Sequence, residues 1–599
     1  MRYVFLMAGI LGGGMPALAQ TALPTFEDQL VVTAALETTA RDQVSSRVTV
    51  IDADEIEARQ SESVAELIST AAGVTVARAG SPGAQTSLFL RGTDSDQTLL
   101  LWNGIPLNNP YFGGVNWHFL PADGLERIEV VRGPSSALYG SQAIGGVVQV
   151  FTGERDGVRL RLEGGEDGYR RAGLAAGASL GRVRLDATGH SRRGDGVFEN
   201  DFFDSDELMA RALWTLRPGV SLGLVARAND AETGIPFSGV TPTLSRRIAW
   251  EEREVAVPFK AERGKWEVEA LLSRTAFDSA FRDPDDPGGF TASDTESTAE
   301  RGRTVVTWRQ DDFWVAAGAE IERLEVTDSS SFGANLDAAH QRTWALFTQA
   351  SWGRGPVRFD LGVRRDDNDV YGAETSLRGG VVVRLAEGWR ARGSYGEAFR
   401  APSLGELFFP FSGNPDLAPE TSESWELGLE REAGGWRVGL TGFVNRQRNL
   451  IDFDFVTFTN VNVGRAESRG VEAEAELRRG IWKLLANGTW LDAEDKIAEL
   501  PLLRRPERAA NLIVTARPGA FAYNLEAHWV GERPDVDAVT FSRADNPSFL
   551  RLDAAARWQV RPWIAPALRI ENLADEEYEE VLGFPSPGRT VIGGVTLDF

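Results

Sequence analysis

From about Val158 to Phe599 the chain alternates apolar and polar residues in short, charge-interrupted stretches. Val158, Leu160 and Leu162 interleave with Arg159, Arg161 and Glu163; Val471, Ala473, Ala475 and Leu477 interleave with Glu472, Glu474 and Glu476. Period two puts each set on its own face of a strand. Such a strand suits lipid on one side and a wet lumen on the other, and it equally suits a sandwich with core on one side and solvent on the other. Number decides between them. Residues 155–599 show no helical segment and are too many for one sandwich core; at about 20 residues per strand and connection they make about 22 strands. Connections alternate in length, Arg217-Pro218-Gly219 against the polar stretch Asp278 to Ser297, as barrel turns and outer loops do. The alternation of Val591, Gly593, Val595, Leu597 and Phe599 predicts a strand that closes on the first and leaves no edge.

Upstream the pattern tightens. Val48-Thr49-Val50-Ile51 reads as a strand, and Asp54 opens a helical turn. Ser63 with Glu66 forms a capping box, followed by Val64, Leu67, Ile68 and Ala71 before Gly73, which predicts an amphipathic helix of about ten residues. Strands are predicted at Ser87 to Leu90, Thr98 to Trp102, Ile128 to Val131 and Gly146 to Phe151, making 45–154 an α+β domain. Residues 20–44 read as a tether with one β-prone patch, Leu30-Val31-Val32-Thr33-Ala34. Arg2, the apolar run Tyr3 to Leu11 and Ala17-Leu18-Ala19 before Gln20 have the layout of a secretory signal peptide, residues 1–19.

Composition narrows the class. Beyond that leader no run of about 18 apolar residues occurs, so a helical membrane protein is excluded. Zero cysteines remove disulfides, thiolate metal sites and cysteine nucleophiles. A formal charge of −24 argues against nucleic acid. Gly 63, Trp 17 and Phe 31 beside four Met suit turns and interfacial aromatic girdles. No H-E-x-x-H helix or phosphate loop is present, and the chain is read as no enzyme, although paired carboxylates could still arise by folding, which keeps an outer-membrane enzyme as the lesser alternative.

These residues resemble the TonB-dependent receptors of bacterial outer membranes over nearly the whole chain after residue 19. Asp28-Gln29-Leu30-Val31-Val32-Thr33-Ala34 resembles the family's TonB box. Phe89-Leu90-Arg91-Gly92 and Ile128-Glu129-Val130-Val131-Arg132-Gly133-Pro134, continuing through Ala137-Leu138-Tyr139-Gly140 to Ala143-Ile144-Gly145-Gly146-Val147, resemble its plug signatures. Ala398-Phe399-Arg400-Ala401-Pro402, Asn414-Pro415-Asp416-Leu417 with Pro419-Glu420-Thr421, and Asn572-Leu573 to Phe599 fit its barrel. The resemblance implies an all-β membrane protein: an antiparallel transmembrane β-barrel of about 22 strands (155–599) with an N-terminal α+β plug domain inside it (45–154). It implies a monomer in the cell outer membrane, in contact with lipid, that takes up a scarce small-molecule nutrient. A TonB-type energy-transducing protein in the periplasm would engage Leu30, Val31, Val32, Thr33 and Ala34 by β-addition and pull. It also pairs Arg91 and Arg132 with barrel residues Glu426 and Glu472 as plug–barrel locks; surface salt bridges are the alternative.

Within the family the chain most resembles the cobalamin (vitamin B12) receptors. The plug stretch Asn103 to His118, with Leu107, Asn108, Asn109, Tyr111, Phe112 and Trp117, is then the expected ligand loop facing the outer cavity, packing on the wall being the other use of such residues. No covalent cofactor is expected. Calcium in the outer loops is implied through Glu199, Asp201 and Asp230, although Gly189-His190-Ser191 stands where those receptors carry a further aspartate. A ferric-siderophore receptor, binding a metal chelate, is the alternative. A haem receptor fits less, since no histidine lies between Phe399-Arg400-Ala401-Pro402 and Asn414-Pro415-Asp416-Leu417; the four are His118, His190, His340 and His528.

Overall fold

The computed structural model describes residues 30–238, 241–454 and 456–599. The signal-peptide reading of 1–19, the tether residues 20–29 and with them Asp28-Gln29 lie outside that range.

Among the described residues, 22 strands form a closed antiparallel barrel, each paired with its neighbour in sequence. The two-residue strand Leu500–Pro501 is an appendage of Trp482–Asp495. Closure joins Gly157–Gly165 to Thr590–Asp598, with Leu160 opposite Leu597. The alternation resolves inside out: Val158 and Leu427 are exposed on the outer wall, whereas Glu472 is 1% exposed against the plug. Among the described residues no helix is long and apolar enough to cross a membrane; strands carry the apolar band.

The two ends of the barrel differ. At one, two-residue turns such as 218–219, 264–265, 355–356 and 480–481 join the strands, flanked outside by Trp214, Trp266, Trp352 and Trp482. That ring is an interfacial aromatic belt, and Trp352 stacks on Phe359 at 5.0 Å within it. At the other end connections run to 235–246, 401–419 and 572–589. The expected loop Asp278 to Ser297 contracts to 283–291, because its flanks continue the strands Trp266–Arg282 and Ala292–Gln310. Phe277 pairs with Ser297 there and is buried. The polar composition marks strands that project past the membrane into water. Strands are short near the closure seam (9 residues in Gly157–Gly165, 8 in Ile564–Glu571) and reach 22 in Gly333–Arg354 across the barrel.

The plug fills the lumen. Its sheet runs Val48–Asp52, Leu125–Arg132, Gly146–Thr152, Thr98–Trp102, Ile105–Pro106, antiparallel except that Thr98–Trp102 lies parallel to Gly146–Thr152. Leu67, Ile68, Leu100, Ile128 and Val148 form its core. Helix Ala53–Arg59 is capped by Asp52, two residues before the expected Asp54, its carboxylate accepting from the Glu55 amide at 2.8 Å. Helix Val64–Ser69 starts at Ser63 as expected but spans six residues, because the chain tightens at Thr70 and turns at Gly73 (φ +71°) into Val74–Arg78. A Cβ at Gly73 would lie 2.2 Å from the Glu472 carboxylate, so plug and wall touch there with no room for a side chain.

Candidate functional site

Three sites were expected on the plug and its surroundings. The first is the lock. Arg91 follows strand Thr86–Leu90 in the left-handed region (φ +50°), which swings its side chain from the sheet toward the wall. Its Nε and Nη2 donate to the two oxygens of Glu472 at 2.8 and 3.0 Å, and Nη1 donates to Glu426 at 2.7 Å. Arg132, ending strand Leu125–Arg132, donates to Glu472 at 2.9 Å and to Glu474 at 3.0 Å. All but Glu474 are nearly or fully enclosed, so neither charge survives burial without the other. Arg47 adds contacts to Glu430 and Glu474. The sequence signal for Glu474 was present in the inward parity of Glu472, Glu474 and Glu476; nothing local in the sequence singles out Arg47.

The second is the coupling segment. Leu30–Val31 pairs with Thr39–Ala40, so the described part of the tether folds back on itself. Val31, Thr33 and Ala34 are buried. The Glu129 carboxylate accepts from the Val32 amide at 3.0 Å and the Thr33 amide at 2.9 Å. The Thr33 hydroxyl donates to Gln149 at 2.9 Å, and the Tyr139 hydroxyl donates to the Thr33 carbonyl at 2.9 Å. Burial pushes the Tyr139 hydroxyl up to about 12, so it stays a donor. A free tether is therefore replaced by a segment strapped under the plug. The strap is specified by partners about a hundred residues away, which local pattern does not show.

The third is the outer loop. Of the six residues expected to face the cavity, Leu107, Asn108, Asn109 and Trp117 are buried within the plug. The Asn108 amide spends itself on plug backbone, donating to the Thr98 and Gly113 carbonyls at 3.0 Å each and accepting from the Leu100 amide. Trp117 belongs to the plug core. Tyr111 and Phe112 keep partial exposure: Phe112 meets Trp250 of the wall edge-on at 6.2 Å, and Tyr111 packs by Leu404 and Phe408. The loop's Pro110 and Tyr111 carbonyls accept from the Leu404 and Gly405 amides, the open N-terminus of the short helix Leu404–Phe408 in an outer loop. Beside it lies a small recess between Asn108, Pro110 and Gln142 of the plug and Arg364, Tyr371 and Ser403 of the barrel. Its lining mixes amide, phenol, guanidinium and carboxylate groups, with Arg301, Glu320, Glu322 and Asp366 beside Arg364.

Glu199, Asp201 and Asp230 are not brought together. Asp201 is buried and accepts from the Ser81 hydroxyl and the Val197 and Phe198 amides. Asp230 points from the outer wall, between inward Asn229 and Ala231, and pairs with Arg253 at 2.6 Å. Glu199 is exposed in the connection 195–202. Among the described residues no three acidic or histidine side chains converge on a metal position.

Comparisons with known proteins agree with this architecture. Residues 149–573 match the family model of the TonB dependent receptor-like beta-barrel, and 40–147 match the TonB-dependent receptor plug domain. The chain is 26% identical over 579 residues to the vitamin B12 transporter BtuB of Vibrio vulnificus (strain YJ016), covering 92% of this chain and 91% of that one. Among solved structures it superposes on the copper transporter OprC with a TM-score of 0.81 at 20% identity, covering 93% and 99% of the two chains. For the siderophore receptor PirA from Acinetobacter baumannii the TM-score is 0.80 at 16% identity, with 93% and 99% covered. A closed barrel of inside-out strands, a plug bolted to its wall by buried ion pairs and two family models spanning both parts lead to one conclusion: the chain belongs to the TonB-dependent receptors and is an outer-membrane transporter.

Proposed function

We propose that this transporter takes up cobalamin, binding it between the plug apex at Tyr111–Phe112 and the long outer loops. The observation that carries the reading is the full-length match to a vitamin B12 transporter, which spans plug and barrel alike. In this reading ligand loosens the plug, the strap at Glu129 releases Leu30–Ala34, and a periplasmic TonB-type protein adds to that segment as a strand and pulls. The receptor itself does no covalent chemistry.

Titration of the refolded receptor with cyanocobalamin, with and without calcium and beside a panel of ferric siderophores, tests the substrate. Saturable cyanocobalamin binding in the nanomolar range, about −12 kcal/mol, is the expected result. Silence with cobalamin and heat from a siderophore would overturn the assignment and leave the transporter intact. A calcium response would place a metal among groups other than the three separated carboxylates. Deleting residues 28–34 separates coupling from binding: uptake by cells is abolished while titration is unchanged.

A further inference from the structure

We propose that the path through the plug runs along the closure seam of the barrel, where a movable latch separates two cavities. The proposal rests on the transport reading for its purpose, and on the following geometry for its place.

The outer cavity is small and lies between Pro82 of the plug and the outer ends of the seam strands at Tyr169, Phe203, Asn572 and Thr590. The inner one, about 250 Å³, lies on the same wall at the short-turn end, between Ile56 and Gly124 of the plug and Leu174, Ala175, Ala567 and Thr596 of the barrel. One layer of polar contacts divides them. Barrel arginines grip the plug turn Gln60–Glu62: Arg569 donates to the Gln60 carbonyl at 2.5 Å and pairs with Glu62, Arg161 reaches the same carbonyl at 3.4 Å, and Arg192 lies 3.5 Å from Glu62. Arg171 holds Asp123 at 2.8 Å, and His190 Nδ1 lies 3.1 Å from the same carboxylate with its Nε2 unpartnered.

What the arginines hold decides which layer can open. At Arg91 and Arg132 the gripped pieces are ends of plug strands, so moving them disrupts the sheets. Gln60–Glu62 is a three-residue turn between helices Ala53–Arg59 and Val64–Ser69, with Gln60 already in the left-handed region (φ +56°). Its backbone pairing is the isolated bridge at Ser63 and Pro121, where the Ala122 amide donates to the Glu62 carbonyl at 3.1 Å, so it can swing without breaking either plug sheet. Moving it joins the outer cavity to the inner one along the wall with the shortest strands.

The chain has no cysteine and the test needs no nutrient. Purified receptor is inserted into liposomes loaded with raffinose, and release is followed. Wild type retains the sugar. Glu62→Gln with Asp123→Asn, or Arg569→Gln as an independent opening on the barrel side, releases it at least about tenfold faster, because the first takes from Arg192 its Glu62 partner and the second leaves Glu62 only the 3.5 Å contact to Arg192. Adding Ala175→Trp and Ala567→Trp to the open variants closes the leak; Ala475→Trp, which fills a recess on the lock wall, does not. A leak blocked by Ala475→Trp and not by the seam pair, or no leak from either opening variant, overturns the route. Failure here leaves the cobalamin titration standing, and failure there leaves the route standing.

Discussion

Plug and barrel use the same amino acids in opposite senses. In the plug Leu67, Ile68, Leu100 and Val148 are enclosed by one another. In the barrel Leu224, Leu427 and Leu440 are exposed on the outer wall, and the enclosed residues are Arg227, Glu430 and Glu472. The plug pairs its backbone in a small sheet with free edges inside protein; the barrel pairs every strand around a ring because lipid offers backbone groups nothing. The difference teaches that burial here has two currencies, apolar contact within the plug and compensated charge between plug and wall.

The comparison can be broken hardest at the shared charge. Glu472→Ala leaves Arg91 with Glu426 alone and Arg132 with Glu474 alone, and removing one member of a buried ion network costs about 4 kcal/mol. Urea unfolding of the plug, followed by fluorescence of buried Trp102 and Trp117, is expected to shift accordingly, and a shift within error would mean water replaces Glu472 freely. Leu67→Ala attacks the other currency and leaves a cavity in the plug worth about 3 kcal/mol in the same assay. Leu427→Arg, halfway along an outward-facing strand, inverts the rule for the barrel and lowers its stability in bilayers by about 2–3 kcal/mol, with the plug transition unmoved. The smallest effect concerns pH. Burial pushes the Asp96 carboxyl up to about 7 from 3.8, against the opposing pull of Arg400 at 3.3 Å. A raised carboxyl favours the folded state below its ordinary value and loses that contribution as pH rises through about 7. Asp96→Asn is therefore expected to flatten the decline in plug stability between about pH 5 and about pH 8; an unchanged slope would assign the decline elsewhere.

Periodicity made the barrel legible. Two-residue alternation at Glu472, Glu474 and Glu476 predicts inward carboxylates, and the arginines that need them follow from the family resemblance. The same rule could have excluded Asp230 as a ligand, since Arg227 and Asn229 on its strand already take the inward parity. Three readings lay beyond local pattern. The tether's docking depends on Glu129 and Gln149, contributed by distant strands. The ligand loop's amides look available until Asn108 is seen bonded to its own plug backbone. The extent of the loop near 278–297 follows from strand pairing that reaches into water, where polar composition no longer separates strand from connection.

The seam has a kinetic meaning as well. Arg159 and Asp598, paired at 2.7 Å across it, are separated by 439 residues in sequence. A ring cannot shut until the strand Thr590–Asp598 exists, so the first strand must wait as an unpaired edge through synthesis of nearly every other strand. Closure is the slow, high-separation step of assembly, and the plug, which lies inside the ring and is bolted to the strands at Glu426 and Glu472, takes its place before or as the ring shuts rather than by entry afterwards.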